Sequence, residues 1–255
     1  MALIGVEYVD NFADARAAGE TTAQDLSCPY YIANWFAPTL AAAGHTIIEH
    51  ANKGVYSFHM TDTKFGGDDT HFADSVDLFL IITHGNYEPR DTGAQPGCRL
   101  LFDNYDWHSY SKHWRFGDGC NLEWLLIYGC HTIDRDHVLD HLPVFKRLHL
   151  FCGAYGNMYD SWTTDDVGED TANNLLSGNT VCDSWGDGVS DWLVSNHPMV
   201  ISVELQWTYN NGDVLWEETT IGCDHLWGEG YTFPDITPAD QYWMASMWWD
   251  GGIYG

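Results

Sequence analysis

The chain has 255 residues and 45% of them are hydrophobic, so it is long enough to bury the core of one large α/β domain. Its 37 acidic and 10 basic residues give a formal net charge of −27, which argues against nucleic acid and anionic membrane surfaces as partners, because phosphate groups are bound by Lys and Arg. The first residues show no basic and apolar leader, and no apolar run reaches the length of a membrane span, so we expect a cytoplasmic protein.

Strands and one helix are predicted in the first part of the chain. Residues 3–9 form an apolar run typical of a buried strand, and residues 46–48 and 55–60 are strand-like. Between residues 9 and 46, apolar residues at helical spacing predict a helix with Ser27 as its N-cap and Gly44 at its end.

Two apolar runs in the middle of the chain are each followed by a reactive side chain. Residues 78–82 lead to His84, and residues 124–128 lead to Cys130. Such runs are typical of strands buried on both faces of a parallel sheet. If the two strands are neighbours, both side chains emerge at the edge where open α/β sheets place their sites. A thiolate nucleophile and its base require this arrangement.

Further strands and helices are predicted after Cys130. The predicted elements are a strand at 148–154, helices at 170–176 and 185–194, and an antiparallel hairpin of residues 199–209 and 214–219 joined through Asn211 and Gly212. The tail from residue 226 is rich in Trp, Tyr and Gly and has no clear period. The predicted fold is a single α/β domain over residues 1–255, with a mostly parallel sheet flanked by helices, an added antiparallel hairpin and an aromatic-rich C-terminal elaboration.

The two strand-end motifs resemble those of the caspase-like (caspase–hemoglobinase) superfamily of cysteine peptidases. That superfamily carries one apolar block before His-Gly and a second before a small residue and Cys, here His84-Gly85 and Gly129-Cys130. The resemblance implies a caspase-like fold and a cysteine hydrolase, most typically a peptidase, with Cys130 as nucleophile and His84 as general base and acid. It also implies that the backbone N–H groups of Gly85 and Cys130 bind the oxyanion of the acyl intermediate.

An acidic segment after the 148–154 strand is a candidate substrate pocket, because the resemblance implies that this region lines it. Asp160 is the first candidate and Asp165 the second, with Tyr155 and Trp162 as aromatic substrate contacts. A carboxylate in the pocket predicts a preference for Arg or Lys before the scissile bond. A solvated acidic loop and a calcium site are the alternatives for this segment.

A rival constellation is formed by His131, His137 and His141. His137 and His141 have a spacing that suits a metal on one helix face, but the Glu of a zinc-peptidase motif and a third ligand are both missing. We therefore expect no metal and no other cofactor, with calcium as the one alternative left open.

The 13 tryptophans leave room for two other functions, since aromatic side chains can wall a cavity for an apolar ligand. The first alternative is a non-hydrolytic enzyme, for example a cyclase, that acts on a small apolar or aromatic molecule in the same site. The second is a catalytically silent binding module. The expected partner is accordingly a peptide or a small-molecule substrate.

Overall fold

The computed structural model describes residues 1–88, 97–104, 106–117, 121–190, 195–205, 207–208, 214–215, 224–230, 232 and 242–249. The strands are β1 Leu3–Tyr8, β2 Thr46–Ala51, β3 Leu78–Ile82, β4 Gly85–Glu88, β5 Gly97–Leu101, β6 His108–Tyr110, β7 Trp124–Tyr128, β8 Leu150–Ala154, β9 Pro198–Leu205, β10 Trp207–Thr208, β11 Val214–Leu215 and β12 Tyr242–Trp248. The α-helices are α1 Ala13–Ala18, α2 Pro29–Ala42, α3 Val167–Leu176 and α4 Val181–Val189.

A seven-stranded sheet in the order β12-β9-β8-β7-β3-β1-β2 forms the centre of the molecule. Strands β2, β1, β3, β7 and β8 run parallel, while β9 is antiparallel to β8 and β12 is antiparallel to β9. All five residues of β3 and all five of β7 are buried, as the uninterrupted apolar runs predict. The predicted α/β fold with a mostly parallel sheet flanked by helices is confirmed.

The two faces of the sheet are covered differently. Helices α2, α3 and α4 cover one face, where Phe36 and Trp185 pack with strand residues such as Leu126. Short turns and loops cover the other face, where Trp114 packs with residues such as Ile127. Both faces are therefore apolar, which places the polar chemistry at the edges of the sheet.

A second, antiparallel sheet of β4, β5 and β6 begins directly after His84. It lies in the connection between the two motif strands. The predicted hairpin is present in the paired strands β10 and β11, and its Asn211-Gly212 turn lies outside the described residues.

Two local predictions differ from the structure. Residues 55–60 are not a strand but contain the 3-10 turn Ser57–His59, because His59 turns inward to meet the buried carboxylate of Glu7 at 2.6 Å. The aromatic-rich tail, which shows no period, contributes β12 to the edge of the main sheet. Within the described part of the chain, no helix is both long enough and apolar enough to cross a membrane.

Candidate functional site

His84 and Cys130 lie at the carboxyl edge of the main sheet. Strands β3 and β7 are adjacent and parallel, with Ile82 opposite Tyr128, so the chain reaches His84 and Cys130 two residues beyond the same level of the sheet. Both residues line one cavity of about 150 Å³. The sheet register thus brings the predicted nucleophile and the predicted base to one site.

A backbone carbonyl orients the ring of His84. The Nε2 atom lies 2.8 Å from the carbonyl oxygen of Gln24, and the ring packs against Phe12 with centroids 4.8 Å apart. Because a carbonyl oxygen can only accept a hydrogen bond, Nε2 carries the hydrogen, and Nδ1 is the basic nitrogen of the neutral ring. The half-buried imidazole is therefore held in the tautomer that suits a general base.

The loop that carries the Gln24 carbonyl is itself held by an ion pair. Arg16 donates to both carboxylate oxygens of Asp25, at 2.9 and 3.1 Å, and to the carbonyl oxygen of Ala23 at 3.0 Å. Asp25 also accepts the backbone N–H of Phe12 at 2.8 Å, and the hydrogen bonds from Arg16 and Phe12 lower the pKa of Asp25. Sequence patterns do not reveal this arrangement, since the atom that contacts His84 belongs to the backbone.

Cys130 is half-buried, and its thiol is bonded to one residue on the next loop. The sulfur donates to the carbonyl oxygen of Met158 and accepts the N–H of the same residue, each at 3.3 Å. Burial raises the pKa of Cys130, and the Met158 N–H opposes that effect. Among the hydrogen bonds of the described residues, none joins Cys130 to His84, so the thiol rests neutral on Met158.

The chain turns sharply directly after Cys130. His131 has a φ of 48°, a left-handed conformation that is uncommon outside glycine, and its N–H is bonded to the carbonyl oxygen of Gly156 at 2.8 Å. Residues in this conformation cost free energy and cluster at functional sites. The turn ends the path of β7 and leaves Cys130 at the rim of the sheet.

Two glycines allow the strand ends to meet backbone to backbone. A Cβ at Gly85 would lie 2.6 Å from the carbonyl oxygen of Cys130 and 2.8 Å from the methyl group of Thr132. A Cβ at Gly129 would lie 2.8 Å from the carbonyl oxygen of Thr83. The backbones of Gly85 and Cys130, which are the expected oxyanion donors, therefore lie side by side.

Asp160 lies at the cavity wall, where its carboxylate serves the start of helix α2. It accepts the N–H of Ser27 at 2.9 and 2.8 Å, the Ser27 hydroxyl at 2.8 Å and the N–H of Cys28 at 2.7 Å. Burial raises the pKa of Asp160, but the hydrogen bonds from Ser27 and Cys28 outweigh burial and leave the pKa lowered. The N-cap of α2 is Cys28 and not the predicted Ser27, and Asp160 holds both residues directly before the first turn of the helix.

The other predicted substrate-binding residues, all within the described chain, do not line this cavity. Asp165 is half-buried, and its pKa is raised by burial and then by the neighbouring carboxylates of Asp160 and Asp166. Tyr155 is half-buried and bonds to the Nδ1 atom of His197 at 3.1 Å. The side chain of Trp162 is 81% exposed.

The structure separates His137 and His141, the two histidines whose spacing suggested a metal site. His137 is exposed and bonds to Asp134 at 2.7 Å, whereas His141 is fully buried and burial lowers its pKa to about 4. Within the described residues, no group of three or more His, Cys, Asp or Glu side chains is arranged to hold a metal ion.

The fold and the site define an α/β protein in which a histidine and a cysteine follow adjacent parallel strands of one sheet. One protein family, described as domain of unknown function DUF6345, has a model that matches residues 6–249. Because the match covers almost the whole chain, including His84 and Cys130, the chain belongs to this family. No curated protein matches the chain.

Proposed function

We propose that the protein is a cysteine hydrolase, and specifically a peptidase, with Cys130 as nucleophile and His84 as general base and acid. The observation that carries this proposal is the shared cavity. Two adjacent strands deliver the thiol and the imidazole to the same small space, and the Gln24 carbonyl fixes the ring tautomer that a base needs.

The proposed reaction begins with proton transfer from the thiol of Cys130 to Nδ1 of His84. The sulfur then attacks the carbonyl carbon of the scissile bond, and the oxyanion is bound by the N–H groups of Gly85 and Cys130. His84 gives its proton to the leaving amine, and the acyl group remains on the sulfur. His84 next removes a proton from water as the water oxygen attacks the acyl carbon. The C–S bond then breaks to release the carboxylic acid, and His84 returns the proton to the sulfur to regenerate the thiol.

The resting state of the thiol determines how this reaction starts. Since burial raises the pKa of Cys130, the resting group is a thiol, and in this proposal the thiolate forms as His84 takes the proton. The thiol must first exchange its hydrogen bond with the Met158 carbonyl for one with His84. Such catalytic hydrogen bonds often form only in the substrate complex.

Cysteine alkylation tests the proposal. Cys130 is half-buried, whereas Cys28, Cys98, Cys152 and Cys182, the other described cysteines, are buried. We expect limited iodoacetamide treatment at neutral pH to label Cys130 first among them, as read by mass-spectrometric mapping, and we expect His84→Ala to slow that labelling.

Two results would contradict the proposal. One is an unchanged labelling rate in His84→Ala, since His84 would then not favour the thiolate. The other is the absence of cleavage across a fluorogenic peptide library by the wild-type protein, with Cys130→Ser as the inactive control for any cleavage that is seen.

A second candidate is a non-hydrolytic enzyme that acts on a small apolar molecule in the same cavity. The observation in its favour is the largely apolar wall, formed by side chains such as Leu26, Ile82 and Met158. Tight binding of apolar molecules together with no cleavage of any peptide would favour this function over hydrolysis.

A further inference from the structure

The cavity beside Cys130 and His84 has the position of a pocket for a substrate side chain. Besides these two residues it is lined by Leu26, Cys28, Ile82, Thr83, Tyr128, Gly129, Met158 and Asp160. Most of these groups are apolar or present apolar atoms. The sequence, by contrast, predicts a basic preference through Asp160.

The polar side chains on the wall are already engaged within the protein. The Thr83 hydroxyl donates to the carbonyl oxygen of Leu101 at 2.5 Å, and the Tyr128 hydroxyl donates to the carbonyl oxygen of Tyr159 at 2.9 Å. A charged group that entered this space would lose its water shell and would find the hydroxyls of Thr83 and Tyr128 already bonded, which is costly.

Asp160 is engaged in the same way. Both oxygens of its carboxylate accept hydrogen bonds from Ser27, and one of them also accepts the N–H of Cys28. A lysine or arginine side chain would have to compete with the donors that hold the start of α2 in place. Because Asp160 is also exposed, water screens its charge from the cavity.

The volume of the cavity sets an upper size for its occupant. It measures about 150 Å³, and apolar cavities of that volume bind molecules the size of benzene. A leucine, methionine or phenylalanine side chain therefore fits, whereas an indole is larger.

We propose that this cavity binds the substrate side chain next to the scissile bond, and that it takes an uncharged apolar side chain no larger than a phenyl ring. This inference rests on the proposed function, since it assumes that Cys130 and His84 act on a peptide carbonyl at the mouth of the cavity. It deepens that function by naming the substrate class.

Peptidyl chloromethyl ketones test the inference without requiring turnover. Four reagents share one peptide and differ in the last side chain, which is Leu, Phe, Arg or Asp, and the rate at which each alkylates Cys130 is read by mass spectrometry. Each rate is divided by the rate with free glutathione. We expect the Leu and Phe reagents to react at least about tenfold faster than the Arg and Asp reagents, as hydrophobic pockets discriminate to that degree.

Variants of the wall sharpen the test. Leu26 is half-buried at the loop edge, so Leu26→Glu adds a carboxylate that the start of α2 does not use, and we expect it to raise the Arg rate relative to the Leu rate by about tenfold. Leu26→Met is the matched control and should keep the wild-type order. Asp160→Asn should leave the ratio of the Leu rate to the Arg rate unchanged within about twofold, because an exposed, engaged charge contributes little.

Three outcomes would overturn the inference: an Arg or Asp reagent at least as fast as the Leu reagent, a collapse of the Arg rate in Asp160→Asn, or no selective labelling of Cys130 by any reagent. Hydrolysis of the matching peptide amides is measured separately. Apolar selectivity without hydrolysis would refute the peptidase and keep the pocket, whereas hydrolysis with a basic preference would refute the pocket and keep the peptidase.

Discussion

Removing the carboxylate of Asp160 should destabilise the protein through helix α2. Asp160→Ala deletes the acceptor of three donors, namely the N–H groups of Ser27 and Cys28 and the hydroxyl of Ser27. Hydrogen bonds to charged groups contribute about 1.5–3 kcal/mol each when they are buried. Asp160 and Ser27 are exposed, so water replaces much of the loss, and the net contribution of an ordinary hydrogen bond, about 0.5–1.5 kcal/mol, is the better guide for each bond.

For the three bonds together we therefore expect the free energy of unfolding to fall by about 2 kcal/mol. For a chain of this size the midpoint of thermal unfolding should fall by about 4–8 °C. Urea unfolding gives the free energy, and a thermal scan gives the midpoint. Asp165→Ala is the matched control, since burial and the neighbouring carboxylates raise the pKa of Asp165 and its removal relieves repulsion.

The pH dependence of this effect has a definite sign. The pKa of Asp160 is lower in the folded protein than in the unfolded chain, so its stabilisation is present above the unfolded pKa of about 3.9. The stabilisation is lost as the pH falls through the folded pKa. The reasoning is refuted if Asp160→Ala costs no more than Asp165→Ala at neutral pH, or if the difference between them grows as the pH is lowered.

Three further predictions concern the strand ends, the loop and the core. Gly85→Ala places a Cβ 2.6 Å from the carbonyl oxygen of Cys130, so it should lower the free energy of unfolding in urea by about 1–3 kcal/mol and slow the alkylation of Cys130. Gly54→Ala is the control and should do neither, because a Cβ at Gly54 meets nothing within 4 Å. Asp25→Asn loosens the loop that orients the ring of His84, so the rate at which Cys130 is alkylated should fall by roughly threefold or more, and the midpoint of its pH profile should move. An unchanged profile would show that the loop does not position the ring. Glu7→Gln should remove a pH-dependent part of the free energy of unfolding. Burial raises the folded pKa of Glu7, so the stability that Glu7 contributes is lost as the pH rises through that value. Parallel curves of unfolding free energy against pH for wild type and variant would contradict this assignment.

The sheet and the position of the site could be predicted from local sequence patterns. Strands β3 and β7 are uninterrupted apolar runs, and a strand buried on both faces has no other simple sequence pattern. That the two strands are neighbours was a condition of the prediction, and the pairing of Ile82 with Tyr128 shows that they are. Local composition was sufficient here because burial of both faces is a property of each strand alone.

The parts that the sequence did not predict depend on contacts between distant residues. The inward turn of His59 requires Glu7, which lies 52 positions earlier, and the orientation of His84 requires a backbone oxygen, which carries no residue-type signal. The sequence around Asp160 has no local pattern that distinguishes a contact with the start of a remote helix from a contact with a substrate. These roles become visible only when the sheet has brought the partners together.

The link between Asp160 and the start of α2 also bears on when the site forms during folding. Ser27 and Asp160 are separated by 133 positions, so the contact closes one of the longest loops in the chain. The entropy cost of loop closure makes non-local contacts of this kind form late, after the intervening strands have paired. A chain in which β3 and β7 have already aligned His84 with Cys130 therefore still lacks one wall of its cavity until β8 and the segment after it have docked. We therefore expect the thiol and the imidazole to meet before the wall that Asp160 contributes to their cavity is in place.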